Sequence, residues 1–404
     1  MTKFFFFLKS VSRTVTGLAA VLLAGMAQPA LAQIQIVVGE NSDAIPVTVT
    51  GSTPDLDALM KKAFSIHGAF VNSPAKPDYS FKFDLTGANA VRVTVNSLKV
   101  GGVKVAPYDA AGATWREAAY RAGDYVVEKL TNNPGFFAGK LAFVSKRTGA
   151  TEIWISDILG QEAANVTNDK ADARYPHWSP DGAKIIYTGY YRTGFPDLVL
   201  VDLTTRPPSR RSFESFSGTN TGGVFSPDGQ HVAMTLSSSG NAELYVSDAN
   251  GKNIKRLTQT KGLEVSPTWS PDGTRIAVSS DPQGTPLLYE VSISGGAIAN
   301  LPTQRNYSAE PSWNPRYKDL IAFMAASGSS FDLALYDART RKAQWLTGGA
   351  GGTEPCWTND GRHLIFTKGS GAQAQLWVLD TKTGRSAGLT TKGASQASFV
   401  YPQK

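Results

Sequence analysis

From Lys140 to Thr390 short apolar runs and polar turns follow one another in a fixed order. Each unit opens on an apolar strand, at 141–144, 185–188, 232–236, 276–279, 321–324 and 364–367. A polar turn bearing Gly or Ser follows. A second strand then comes, usually ending on an acid, as at 153–157 and 244–248. A third, weaker strand often closes on Leu-Thr, as at Leu257-Thr258, Leu346-Thr347 and Leu389-Thr390. A polar loop next leads into a strand marked Pro-x-Trp. Four short strands per unit is the content of a propeller blade.

The repeat has a fixed period. Its marker is an aromatic-Ser-Pro-Asp-Gly turn at Trp178, Phe225 and Trp269, with worn copies at Trp313-Asn314-Pro315-Arg316 and Trp357-Thr358-Asn359-Asp360-Gly361. The aromatic anchors are 47, 44, 44 and 44 residues apart, a period typical of blades. Pro presets φ for the turn, Asp bonds its own backbone and Gly takes φ > 0. An Asp recurring in one turn of most blades therefore reads as structural, not catalytic. The first unit lacks its own Pro-x-Trp strand, while the tail carries Phe399-Val400-Tyr401 where a further one would fall. Six blades thus close into a ring when the C-terminal strand joins the first blade, which removes open sheet edges.

Residues 33–135 follow another pattern. A short alternating strand is expected at 33–38. Thr53-Pro54-Asp55 opens a helix whose stripe is Leu56, Leu59, Met60, Ala63 and Phe64, ended by His67-Gly68. Strands are expected at 81–85 and 91–95 around a Gly87–Asn89 turn. Thr114 and Glu117 form a capping box before a helix striped by Trp115, Ala119, Ala122, Val126 and Leu130. Asn132-Asn133-Pro134-Gly135 breaks it. The chain thus divides into a small α+β domain at 33–135 and an all-β propeller at 136–404.

Residues 1–32 read as a cleaved secretory signal: Lys3, Lys9 and Arg13, an apolar run from Val15 to Met26, then Ala30-Leu31-Ala32. The apolar run is short for a membrane span, and no 18-residue apolar stretch follows it. The whole chain is +7; without those three basic residues it holds 37 basic and 33 acidic residues, or +4. That gives no nucleic-acid footprint. Cys356 is the single cysteine, so no internal disulfide forms.

Trp-Ser-Pro-Asp-Gly blades, the run Glu128-Lys129-Leu130-Thr131, and Pro134-Gly135-Phe136-Phe137 leading to Leu141-Ala142-Phe143-Val144-Ser145 resemble the TolB family. That family consists of periplasmic propeller proteins of the Tol–Pal envelope system. The resemblance implies a monomeric, non-enzymatic periplasmic scaffold. It would bind the lipoprotein Pal through the propeller and TolA through the mature N-terminus, with other outer-membrane proteins as further candidates, and serve outer-membrane integrity and constriction at division. Residues 33–114 match the family pattern poorly. Where the family holds a His that grips Pal, this chain has Thr219; Val265 stands where the family tends to have Thr.

Candidate partner-binding residues follow: Thr219, Asn220, Val265, Ser266, Glu310 and Glu354 in loops entering the inner strands, and Ile34, Ile36 and Val38 in the N-terminal strand. No catalytic or cofactor residues are expected. Metal-ligand spacings, a Gly-x-Ser-x-Gly elbow and a second catalytic domain are all missing. A calcium ion among Glu264, Glu310 and Glu354 is the alternative to solvated or backbone-bonding carboxylates. A propeller hydrolase or sugar-binding module using the channel mouth stays open as the alternative function.

Overall fold

The computed structural model describes residues 44–390 and 392–402; the signal segment and the strand expected at 33–38 lie outside the described residues. Six four-stranded antiparallel sheets succeed one another along the chain. Blade 1 is Ala394–Val400, Lys140–Ser145, Glu152–Asp157 and Ala164–Asn165, so the C-terminal strand closes the ring as the strand count requires. Blade 2 runs from Ala173–Trp178 through Lys184–Gly189 and Asp197–Asp202 to Ser209–Glu214. The inner strands of blades 3 to 6 are Asn220–Phe225, Val265–Trp269, Ser308–Trp313 and Thr353–Trp357.

The aromatic of each repeat wedges between blades. Trp269 Nε1 donates to Val224 O of the preceding blade at 3.0 Å, and Trp357 Nε1 to Ser312 O at 2.9 Å. Phe399 takes this position in blade 1, pairing with Leu141 as Trp178 pairs with Ile185. A Cβ on Gly139 would lie 2.1 Å from the Phe399 ring, so only glycine lets the closing strand seat.

The N-terminal layer is a five-stranded sheet of order β2-β1-β3-β4-β5: β1 Ile45–Gly51, β2 Phe70–Asn72, β3 Tyr79–Gly87, β4 Ala90–Ser97 and β5 Tyr108–Ala111. Helices α1 (Pro54–Ile66) and α2 (Trp115–Thr131) cover it. Thr53 caps α1 through Leu56 N, and Thr114 caps α2 through Glu117 N. Glu117 reaches back one residue further than a capping box requires, accepting from Ala113 N at 3.0 Å. The expected hairpin is β3–β4. Sequence reading missed β1, β2 and β5: β1 pairs in parallel with both β2 and β3, partners separated from it by a helix and a loop. A single hydrophobic cluster joins this layer to blades 1 and 6, through residues such as Phe64, Phe137, Leu141 and Val378.

Candidate functional site

Antiparallel blades have two faces. Ser-Pro-Asp-Gly turns lie on one; on the other, which we call the mouth, lie the starts of the inner strands and the loops entering them. Each inner strand carries a two-residue bulge near its start, where pairing with the second strand slips. Its first residue is left-handed in all six blades: Gln396, Tyr175, Gly222, Ser266, Glu310 and Glu354, with φ between 52° and 65°. Pro follows in four blades (Pro176, Pro267, Pro311 and Pro355), and a bulge tolerates its missing N–H. Non-glycine residues in this conformation are costly, and the cost recurs around one ring.

Side chains of this ring reach the next blade. Glu354 N donates to Glu310 Oε2 at 2.8 Å, Gln396 N to Glu354 Oε2 at 2.9 Å, and Tyr175 N to Gln396 Oε1 at 2.9 Å. Thr367 Oγ1 also donates to Glu354, and Glu310 N donates to Ser279 Oγ. Burial, then the charge of Glu354, pushes the Glu310 carboxyl up to about 8. Burial also raises Glu354, against the hydroxyl of Thr367 and the amide of Gln396. Desolvation and then the charges of Glu354 and Glu310 raise Tyr175, although the residue is 39% exposed, so these three groups share one electrostatic environment.

The structure brings Ser266, Glu310 and Glu354 onto this ring. Val265 precedes Ser266 and pairs with Ser279. Thr219 lies just outside, exchanging backbone and hydroxyl bonds with Ser237. Asn220 is fully buried, which corrects its expected place on a contact surface. Its amide accepts from Phe216 N at 3.0 Å and donates to Phe216 O and Pro196 O, so it fastens two loops together. Glu264 is not the counterpart of Glu310 and Glu354. It is buried among Glu243, Thr260 and Ser280, and burial, then Glu243, pushes it up to about 7. Ile34, Ile36 and Val38 lie outside the described residues. Tyr175 and Gln396 were missed; the signal was there in Tyr175-Pro176-His177-Trp178 and Gln396-Ala397-Ser398-Phe399, which align with Glu310-Pro311-Ser312-Trp313.

Sequence reading also missed a second locus on the turn face, where blades 6 and 1 carry the N-terminal layer. His363 Nδ1 lies 2.6 Å from Asp360 Oδ2, and Nε2 lies 2.5 Å from His67 O. Both partners accept only, so both ring nitrogens donate and the ring is an imidazolium. Burial opposes that charge; the Asp360 carboxylate and then Asp380 outweigh it, raising the pKa above the usual histidine value. The ring centres of Phe136 and His67 lie 4.6 and 4.5 Å from that of His363, tilted by 39° and 68°. His67 itself is neutral, its pKa pulled down by burial and then by His363. Asp360, His363 and His67 could together present ligand atoms to a metal. The two His363 bonds and the adjacent Arg362–Asp380 pair, however, already balance the charge. Nearby, Asp124 of α2 accepts from Phe137 N, Ala138 N and Tyr401 Oη, tying the interdomain segment and the C-terminal tail together.

Comparison with known proteins agrees with the propeller fold. The profile of the TolB β-propeller domain matches residues 127–399. The Tol-Pal system protein TolB of Anaeromyxobacter dehalogenans is 35% identical over 159 residues, 39% of this chain and 35% of that protein. The Tol-Pal system protein TolB of Desulfosudis oleivorans is 35% identical over 34% of this chain and 30% of its own length. The matched stretches thus span about a third of these relatives. The crystal structure of TolB from Acinetobacter baumannii superposes with a TM-score of 0.78 at 22% identity, covering 88% of this chain and 96% of that one.

Proposed function

Because the chain belongs to the TolB β-propeller domain family, we propose that it is a non-enzymatic periplasmic scaffold of the Tol–Pal system. In this reading it docks the lipoprotein Pal at the propeller mouth and engages TolA through residues 33–38. The observation that carries it is the division of labour between faces. The turn face of blades 6 and 1 is taken up by the N-terminal layer, which leaves the six-fold mouth to a partner. At that mouth the carboxylates of Glu310 and Glu354 accept from backbone amides and Thr367. That is a rigid frame for recognition, not a poised acid and base. The signal-like pattern of residues 1–32 supports export in this reading, and among the described residues no helix is long and apolar enough to cross a membrane.

The test is a capture assay with the acyl-free domain of the organism's Pal. Arg placed singly at Thr219 or Val265 should weaken capture by roughly 1–3 kcal/mol at the central positions, with little change in melting. Arg at Glu310 should weaken capture and also lower the melting temperature, because it removes the acceptor of Glu354 N. Arg at Asn250, on the turn face, should leave it unchanged. Deleting residues 33–38 should abolish TolA binding and spare Pal binding. The reverse pattern for the Arg variants, or loss of both partners on the deletion, would refute these assignments.

A further inference from the structure

Four large hydrophobic side chains of the propeller stand exposed among the described residues, and three of them sit on the mouth side of blade 2 or the loop leaving it. Phe195 is 68% exposed, Phe216 42% and Tyr175 39%. Their loops are fixed from beneath. Buried Asn220 joins the Phe195-Pro196 loop to the Phe216 loop through bonds to Pro196 O and Phe216 O. Buried Asp197 accepts from Ser215 Oγ at 2.8 Å and lies 3.7 Å from the guanidinium of Arg192, which Ser212 also holds. Tyr175 keeps a left-handed backbone, uncommon for a bulky residue, through its bond to Gln396.

Exposed charge on the same face is mainly positive. Lys146, Lys170, Arg192, Lys261 and Lys392 are exposed there. Asp172, the exposed acid of these loops among the described residues, pairs with Arg174 at 2.8 Å. The remaining loop acids are engaged internally: Asp169 with Arg210, Glu264 by burial, Asp281 with Leu263 N.

We propose that Phe195, Phe216, Tyr175 and Arg192 form the anchor of the docking surface, and that its occupant is a folded protein with an acidic rim around apolar pockets. This rests on the scaffold reading above. Fixed aromatics with an Arg, framed by mainly positive charge, are the composition of an interface centre. A glycan would instead be read by free amide, hydroxyl and carboxylate groups. Here those of Asn220, Gln396, Glu310 and Glu354 already bond to protein. Preorganised loops lower the ordering cost of binding. Cationic rims speed encounter and make association salt-dependent.

The experiment is titration calorimetry of the full mature chain with acyl-free Pal, at about 50 and about 300 mM salt. The Phe195→Ala/Phe216→Ala double variant should bind at least about tenfold more weakly with an unchanged Tm. Arg192→Glu should weaken binding and flatten its salt dependence. Tyr175→Gly, which removes the ring and relieves the backbone, should weaken binding without lowering Tm. Asn220→Ala should weaken binding and lower Tm, as a positioning residue does. Lys252→Glu on the turn face should do nothing. If wild type binds Pal while all the blade 2 variants match it, the anchor is overturned and the scaffold reading stands. If wild type does not bind Pal, both fall. Binding of soluble peptidoglycan fragments that needs the same aromatics would also overturn the protein occupant.

Discussion

The two faces of the ring are built from the same repeat by opposite means. Turn-face motifs close on themselves: Ser179 bonds Asp181 at 2.5 Å, Ser270 bonds Asp272 at 2.6 Å and Thr358 bonds Asp360 at 2.6 Å, each two residues apart. Mouth bonds leave the blade: Glu310, Glu354 and Gln396 each accept from the next blade's amide. A self-contained turn can be copied from blade to blade without regard to its neighbours. A cross-blade bond depends on a partner tens to hundreds of residues away, so the mouth varies more from blade to blade than the turns do. Exceptions carry the point further. Blade 6 wears its motif to Thr358-Asn359-Asp360-Gly361, and there the turn reaches outward: Asn359 donates to Gly135 O and Asp360 holds His363.

Breaking both faces at once should have the largest effect. The closing strand supplies Gln396 to the mouth, Phe399 to the aromatic ring of wedges, and Tyr401 to Asp124 at the junction. Deleting Ser395–Lys404 should cost roughly 5 kcal/mol or more through lost burial. A melting temperature within a degree or two of the parent would refute closure by this strand.

The junction comes next. His363→Leu leaves Asp360 buried without its cation and should cost about 3–5 kcal/mol, while Pal capture at the mouth persists below the new melting temperature. The pH dependence has a definite sign. His363 is raised in the fold above an unfolded value of about 6.5. Its contribution is therefore complete below that value and is lost as pH rises through the folded pKa. Groups facing it are Asp360, Arg362 and Asp380 from blade 6 and His67 from the end of α1. Asp124, which burial pushes up to about 7, acts in the same direction. Melting curves from pH 6 to 9 should show an alkaline decline that is shallower in His363→Gln. An unchanged slope would mean that the imidazolium does not hold the junction.

At the mouth the ionisation effect is smaller. Glu310 sits at about 8, above its unfolded value, so its contribution falls as pH rises from about 4.5 through 8. Glu310→Gln keeps an acceptor for Glu354 N and removes the charge. It should be more stable than wild type at pH 9 by of the order of 1 kcal/mol, and equal to it near pH 5. Equal stability at both pH values would show that neither burial nor the charge of Glu354 disfavours the ionised Glu310 carboxyl.

What could be read in the sequence follows from this division. Blade strands, the Trp wedges and ring closure were legible because period and turn chemistry are local. So were α1 and α2, from stripes and caps. The parallel strand β1 escaped because Ile45-Pro46-Val47 carries no turn signal and its partners come later in the chain. Glu310 and Glu354 were found by position alone, and their interblade bonds were not foreseeable. Asn220 was misplaced because a polar residue in a polar loop looks exposed, whereas its amide is the buried fastener between two loops. His363 escaped for a similar reason: it stands beside a worn turn, and its acceptor, the His67 carbonyl, lies 296 residues away.

The smallest effects test the ring of bulges itself. Five of its six members hold a side chain at φ between 52° and 55°, and one, Gly222, does not. Left-handed backbone costs a residue with a Cβ of the order of 1 kcal/mol more than glycine, offset in part by glycine's greater freedom when unfolded. Ser266→Gly should therefore stabilise the fold by about 0.5 kcal/mol. Gly222→Ala should do the opposite, by about 1 kcal/mol. It adds the same strain and places a Cβ 3.2 Å from Pro267 Cδ, whose ring cannot swing away. Equilibrium urea unfolding of the two variants beside wild type gives both signs in one experiment. If both shift the midpoint in the same direction, backbone strain is not what distinguishes Gly222 from its five counterparts, and the mouth would be shaped by its side-chain bonds alone.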